Sequence, residues 1–455
     1  MTRTALPHSR FVRAAQWCAM VALVMGLARP SEAGVQNIPC RRPFVFQNAA
    51  VNVVVLPYQS APGLTAAGDL GEHLAGLLQL EVLRAIAKFG SVGAVQMVGS
   101  EAECDPDLVV ARLLGRTPGA AATVRKGHGL VVVWGRFYRE GGNVFVQTFC
   151  RFLRSGVSET LEITAAGRTF AGQISGQAFA CAPRKVTVAD LANFEQQFRR
   201  STIVRQTPQE TASGSPMSQA PLPYWISDTQ GDWMKIASQG GPSGWIRVSG
   251  STDSWSLVRW LPELTYVEGM VGYLRTRIAA QQGGAVRAEW IESSARALSD
   301  YDAAAQAPSA DGGPPAPGWR TALSAAVQLQ LRGVMAATRP RAGPEDFTAA
   351  LQLFERAAAL LPQDGSARNL AAMMQLSIAF GSRQPGSSPM LAADKLLQAL
   401  SADPGNTLLL ANLENAYEVL LAPQVAGAAA LTDDERRTVT ERLATIKKIR
   451  AVKPG

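Results

Sequence analysis

The chain has 455 residues, 47% hydrophobic and 18% charged, with 41 Gly and 27 Pro, which is enough for two to four ordinary domains and too apolar for general disorder. Its formal charge is +8; setting aside the four arginines and one glutamate of residues 1–33 leaves +5 over the remainder, with no dense Lys/Arg run, so no nucleic-acid partner is expected. With three histidines in all, a multi-histidine metal site is not expected.

Arg10 and Arg13 precede an apolar stretch between Ala14 and Ala28, followed by Arg29-Pro30-Ser31-Glu32-Ala33 and Gly34. A charged start, a short apolar run and a small-x-small ending predict a secretory signal over 1–33, cleaved near Ala33. A retained anchor needs about 20 apolar residues, which this stretch does not supply. No later stretch reads as a membrane span. The expected location is the periplasm.

Four cysteines follow the signal (Cys40, Cys104, Cys150 and Cys181), all in the first half of the chain. An even, clustered count in an exported protein predicts two disulfides. Three pairings are open; the sequence-local one, Cys40–Cys104 with Cys150–Cys181, is favoured, and buried free thiols are the alternative. There is no C-x-x-C, so no zinc site is predicted.

Residues 35–198 read as an α/β domain. Val51–Tyr58 is a β-branched run ended by a Pro-Tyr pair, expected as a strand buried on both faces. Leu70–Phe89 has helical apolar spacing with Gly90 as C-cap, and 94–98 is a second strand. Asp105-Pro106 opens a helix to Leu114. Leu130–Tyr138 and Asn143–Leu153 flank Glu140-Gly-Gly-Asn143, a hairpin, with further strands at 158–164 and 168–180 and a helix at 189–199. The order strand, long helix, strand, helix, then VVVWGRFYREGGNVFVQTFCRFLR, resembles the N-terminal α/β domain of TolB and related envelope proteins, which implies envelope assembly or binding work. His73 and His128 lack a recognisable nucleophile or orienting carboxylate in sequence; there is no G-x-S-x-G and no phosphate-cradling loop, and both are expected as structural residues. No catalytic residue and no cofactor are predicted; an unrecognised hydrolase in this domain is the remote alternative.

Over 200–250, three short alternating segments, Pro223–Gln230, Gly231–Ala237 and Ser243–Val248, are separated by Gly, Gln and Ser turns. The pair Gly231-Asp-Trp233 and Gly244-Trp245 is similar to the bacterial SH3 module, implying a small β-barrel that binds an extended chain or peptidoglycan. Five of nine tryptophans (225, 233, 245, 255 and 260) lie within 36 residues. Trp233 and Trp245 are expected in the core; Trp225 is the candidate binding ring, or else seals the barrel against Trp255 and Trp260.

Residues 255–340 read as a helical connector and 341–450 as helical repeats. Ala350-x3-Phe354-x2-Ala357-x4-Pro362 recurs as Ala392-x3-Leu396-x2-Ala399-x4-Pro404, an offset of 42 throughout. Small–large–small–Pro at this spacing resembles the second helix of tetratricopeptide repeats, with the loop 381–389 taking up the excess over the usual period. Such repeats present their first helices on a concave groove for a peptide or partner helix. On the helix at 407–421, Asn412 and Asn415 are the polar groove-side candidates for bonding a partner's backbone; solvated helix-face asparagines are the alternative.

The chain is thus expected to be multidomain: an α/β N-terminal domain, a small SH3-like β-barrel and a C-terminal all-α tetratricopeptide-like helical repeat. The expected function is a non-catalytic envelope scaffold whose partners are envelope proteins or peptides, with peptidoglycan binding through the SH3-like module as the alternative.

Overall fold

The computed structural model describes residues 37–61, 87–119, 121–186, 203–216, 224–230, 233–238, 243–247, 263–306, 319–381, 388–422 and 431–452, with single helical positions between 75 and 86. The expected helix at 189–199, His73, Trp255, Trp260 and the signal segment lie outside the described residues.

The N-terminal unit is a mixed seven-stranded sheet in the order β1 (Asn37–Pro39), β3 (Val92–Val98), β2 (Val51–Ser60), β4 (Gly129–Glu140), β5 (Asn143–Arg154) and β8 (Ala178–Ala180), with β9 (Arg184–Val186) also on β5. The first four strands are parallel neighbours and β4–β5 is an antiparallel hairpin. Parallel pairing requires crossovers. The helical residues between 75 and 86 lie between β2 and β3, and α1 (Pro106–Leu113) between β3 and β4. Asp105 caps α1 by accepting from the Leu108 N–H at 2.9 Å, with Pro106 in the first turn.

Cys40 and Cys104 form a disulfide that ties the end of β1 to the start of α1. The second expected bond is corrected: Cys150 and Cys181 are free buried thiols. The register explains it. Cys150 stands opposite Phe179, which leaves Cys181 on the diagonal, and the two meet as hydrogen-bonded thiols. That hydrogen bond and then burial push the Cys150 thiol well above its ordinary value.

One sheet face is covered by α1. The other is covered by the helical residues near 75–86 together with α2 (Glu263–Gln281), from the region expected as a connector. A Cβ on Gly129 would lie 3.2 Å from Leu274 and 3.4 Å from Ile278, so α2 sits directly on β4. α3 (Ala288–Gln306) crosses α2 where glycines allow it: a Cβ on Gly269 would meet Leu298 at 2.4 Å, and one on Gly272 would meet Ser294 at 2.6 Å and Phe89 at 2.8 Å. An aromatic series carries the core onward, with Phe179 stacked on Tyr266 and Tyr266 on Tyr301. The Tyr266 hydroxyl donates to the Ser324 carbonyl at 2.8 Å. The α/β core therefore runs across the sequence boundary drawn at 198.

Residues 203–247 form a five-stranded antiparallel sheet, β11 (Gly214–Pro216), β10 (Ile203–Arg205), β14 (Gly244–Arg247), β13 (Trp233–Ser238) and β12 (Tyr224–Gln230). Trp245 is buried and Trp233 half-buried. The C-terminal region is an array of antiparallel helices: α4 (Trp319–Ala337), α5 (Pro344–Leu360), α6 (Gly365–Gly381), α7 (Pro389–Ala402), α8 (Thr407–Leu421) and α9 (Asp433–Val452). Ala350, Phe354 and Ala357 on α5, and Ala392, Leu396 and Ala399 on α7, are all fully buried, so the repeated small–large–small pattern marks the faces where neighbouring helices cross. Among the described residues no helix is long and apolar enough to cross a membrane.

Two outcomes are expected. Gly272→Leu costs about 1–3 kcal/mol by overpacking, read as a lowered urea midpoint for the sheet signal as well as the helix signal in circular dichroism. Alkylation of the unfolded, unreduced chain modifies Cys150 and Cys181 but neither Cys40 nor Cys104, read by peptide mass; in the native state burial protects Cys150 and Cys181 as well.

Candidate functional site

The candidate site lies on the side of the helical array where α4, α6 and α8 face the α/β unit. Something already lies in it. The hairpin of β6 (Thr160–Ala165) and β7 (Arg168–Gln173), emitted between β5 and β8, reaches out of the α/β unit and rests on α6 and α8.

The hairpin alternates as strand periodicity requires. Leu161, Ala165, Phe170 and Gly172 are buried, whereas Glu162, Thr164, Thr169 and Gln173 are exposed. Phe170 is 0% exposed. Gly172 is small because the wall is close: a Cβ there would lie 2.7 Å from Leu370 and 2.9 Å from the Met373 sulfur. Burying Phe170 and Leu161 contributes about 1.5–3 kcal/mol each, and an isolated two-stranded hairpin is marginal in water. The hairpin therefore owes its order to the groove.

Its outer edge is read by side-chain carboxamides. The Ala171 N–H donates to Asn412 Oδ1 at 3.0 Å, and the Ala171 carbonyl accepts from Asn412 Nδ2 at 2.7 Å. Asn412 Nδ2 also donates to Asn369 Oδ1 at 2.8 Å, and Asn369 Nδ2 donates to the same Ala171 carbonyl at 3.0 Å. Two residues along the strand, Asn415 Nδ2 donates to the Thr169 carbonyl at 2.8 Å. In an antiparallel ladder alternate residues turn both main-chain groups outward. The Asn412 carboxamide, with its own N–H and C=O, thus occupies the place of a neighbouring strand's peptide group. Asn369 and Asn412 are 1% and 2% exposed, so the bonds are made in a desolvated setting where an unpaired amide is costly.

Both ends of the strand are pinned as well. Beyond β7, the Ser175 N–H donates to Gln330 Oε1 at 2.7 Å and Gln330 Nε2 donates to Ser175 Oγ at 2.7 Å. Gln330 is fully buried on α4. At the tip, Arg168 pairs with Glu418 on α8 at 2.8 Å, and Lys447 on α9 approaches the same carboxylate at 2.7 Å. The Lys447 hydrogen bond, with Arg168 also nearby, holds the Glu418 carboxyl below its ordinary range. At the stem, Arg154 and Glu159 form a buried pair, the Tyr273 hydroxyl donates to Glu159 Oε2 at 3.0 Å, and Arg154 also bonds Gln281. Burial, and then the Glu159 charge, raise the Tyr273 phenol far above its usual value.

Of the residues singled out in the sequence, Asn412 and Asn415 bond the chain's own backbone, at Ala171 and Thr169. Asn369 and Gln330 share the task and were not singled out; for Gln330 the available signal was a pair of amides, Gln328 and Gln330, inside the otherwise apolar run from Val327 to Leu331. Trp225 lies in β12 opposite Ala237, with its side chain outside the described residues. His128 serves the backbone, its Nδ1 lying 2.9 Å from the Ala49 carbonyl oxygen.

No known protein family, no curated protein and no solved structure matches the chain.

Asn412→Ala should cost about 1–3 kcal/mol, the penalty for leaving buried main-chain groups unpaired, and Asn415→Ala under about 1 kcal/mol because Thr169 is solvated; urea denaturation checks both. For Glu418, a folded-state pKa below the unfolded one means that its contribution is present above the ordinary carboxylate range and is lost as the pH falls through the depressed value. The stability gap between the wild type and Glu418→Gln, under about 1 kcal/mol for so exposed a pair, should be present at about pH 7 and close towards about pH 3.

Proposed function

We propose that this protein is a non-catalytic adaptor of the bacterial cell envelope, acting in the periplasm and binding other proteins through shaped surfaces. In this reading the N-terminal unit is TolB N-terminal-like, the five-stranded sheet is an SH3-like barrel, and α4–α8 are tetratricopeptide-like pairs. The observation that carries it is the carboxamide set of Asn369, Asn412 and Asn415 bonding the main chain of an extended strand. Such contacts select conformation before sequence, the property an adaptor for extended segments needs. The repeated burial of small–large–small residues on α5 and α7 supports the repeat reading. The Cys40–Cys104 bond is in keeping with an oxidising compartment.

A second reading, peptidoglycan binding, is favoured by the half-buried Trp233 on β13 beside the strand that carries Trp225. Crosslinking in living cells followed by mass spectrometry distinguishes the two. The adaptor reading predicts specific envelope proteins in the adducts, and their absence under every growth condition contradicts it. Pelleting with purified sacculi, abolished by Trp225→Ala, is the outcome that the second reading predicts.

A further inference from the structure

Among the described residues, β6 and β7 pair only with each other and with no strand of the seven-stranded sheet. The hairpin leaves that sheet after Arg154 and rejoins it at Ala178. A glycine in the left-handed region stands at each stem: Gly156 at φ +66° and Gly176 at φ +69°. Neither is there for want of room, since a Cβ on Gly156 would meet only the Lys126 side chain, from 3.3 Å, and one on Gly176 only Leu323, from 3.4 Å. Glycine at these positions serves backbone conformation; Gly156 lies within the stem held by the Arg154–Glu159 pair, whereas Gly176, beyond the far end of β7, is placed as a hinge.

What holds the hairpin down is one apolar face and a row of side-chain amides. The amides recognise N–H and C=O groups, which every polypeptide carries. Side-chain identity is read at two places, where Phe170 is enclosed and where Gly172 passes Leu370 and Met373. The groove is thus specified for an extended segment with an aromatic residue followed two positions later by glycine, and the chain supplies such a segment to itself.

We propose that the β6–β7 hairpin is an autoinhibitory occupant of a strand-binding groove, its β7 strand released at the Gly176 hinge when an extended aromatic-x-Gly segment of a partner protein takes its place on Asn369, Asn412 and Asn415. A partner's existence rests on the adaptor reading; the contact within the chain does not.

The test uses the full-length chain and a fluorescent peptide with the sequence of residues 166–175. Phe170→Asp removes the internal competitor. The peptide should bind this variant about ten-fold or more tighter than the wild type, as expected when the fraction of open groove rises, and adding Asn412→Ala should abolish the gain. A Phe170→Asp chain with unchanged circular dichroism that takes no peptide, or a wild type that binds it equally well, overturns the proposal. Should Phe170→Asp not fold, amide hydrogen exchange on the wild type decides. The Ala171 amide should exchange about ten-fold or more faster than those of Val53 and Val131 in the central sheet, through local opening. Equal rates mean that the hairpin leaves only when the whole protein unfolds, and the proposal fails. Peptide capture by the purified variant, with no envelope partner crosslinked in cells, counts for the groove and against the adaptor function.

Discussion

A strand edge laid against helices must find partners for its N–H and C=O groups or lose the free energy of desolvating them. Here the outer edge of β7 meets no strand among the described residues, and Asn412 takes the place of one. Its carboxamide bonds both main-chain groups of Ala171 while its second N–H holds Asn369, so one side chain joins β7, α6 and α8. Both asparagines are buried in helices, where they would otherwise be a burden. Their presence is explained by the strand, and the strand's order by them. Every other contact between the hairpin and the helical array is arranged around this one: Phe170 and Gly172 below it, Asn415 and Glu418 towards the tip, Gln330 beyond the far end.

The base of the hairpin is built differently. Arg154, Glu159, Tyr273 and Gln281 form a buried polar cluster joining β5 to α2. Removing one partner from such a cluster is strongly destabilising because an uncompensated charge remains. The Arg277 guanidinium adds a bond to the Thr160 carbonyl at 2.6 Å. The hairpin thus rises from a rigid stem and ends in a groove that holds it by separable contacts. A fixed root with a releasable blade is the mechanical basis for treating the groove as a receptor with a resident ligand.

Local features were legible in the sequence to different depths. The β-branched run at 51–58, the Asp105-Pro106 cap and the Gly-Gly turn at 141–142 predicted β2, α1 and the β4–β5 hairpin because each is governed by neighbours in the chain. The repeat at 350–362 and 392–404 marked the buried faces of α5 and α7 for the same reason. Asn412 and Asn415 could be picked out by helical phase as polar residues free to bond a backbone. That residue 171 would be their partner could not be read, since the contact spans 241 residues and backbone recognition leaves no complementary side chain to find. Counting cysteines led to two bonds, yet strand register sets Cys150 opposite Phe179 and leaves the second pair as thiols. Likewise the boundary at 198 followed the order of predicted elements along the chain, whereas the core on one face of the sheet takes in the helix at 263–281.

A groove with a resident ligand exists only if β7 lies against α6 and α8 of its own chain. The Asn415 carboxamide lies 2.8 Å from the Thr169 carbonyl oxygen at an exposed part of the contact, so the double substitution Thr169→Cys and Asn415→Cys places two thiols within reach of a short bismaleimide without crowding the wall. Treatment of that variant with the reagent, followed by denaturing electrophoresis and peptide mass mapping, should give a crosslink within one chain that forms at any protein concentration. A crosslink found only between chains, or none while the fold is retained, would contradict it.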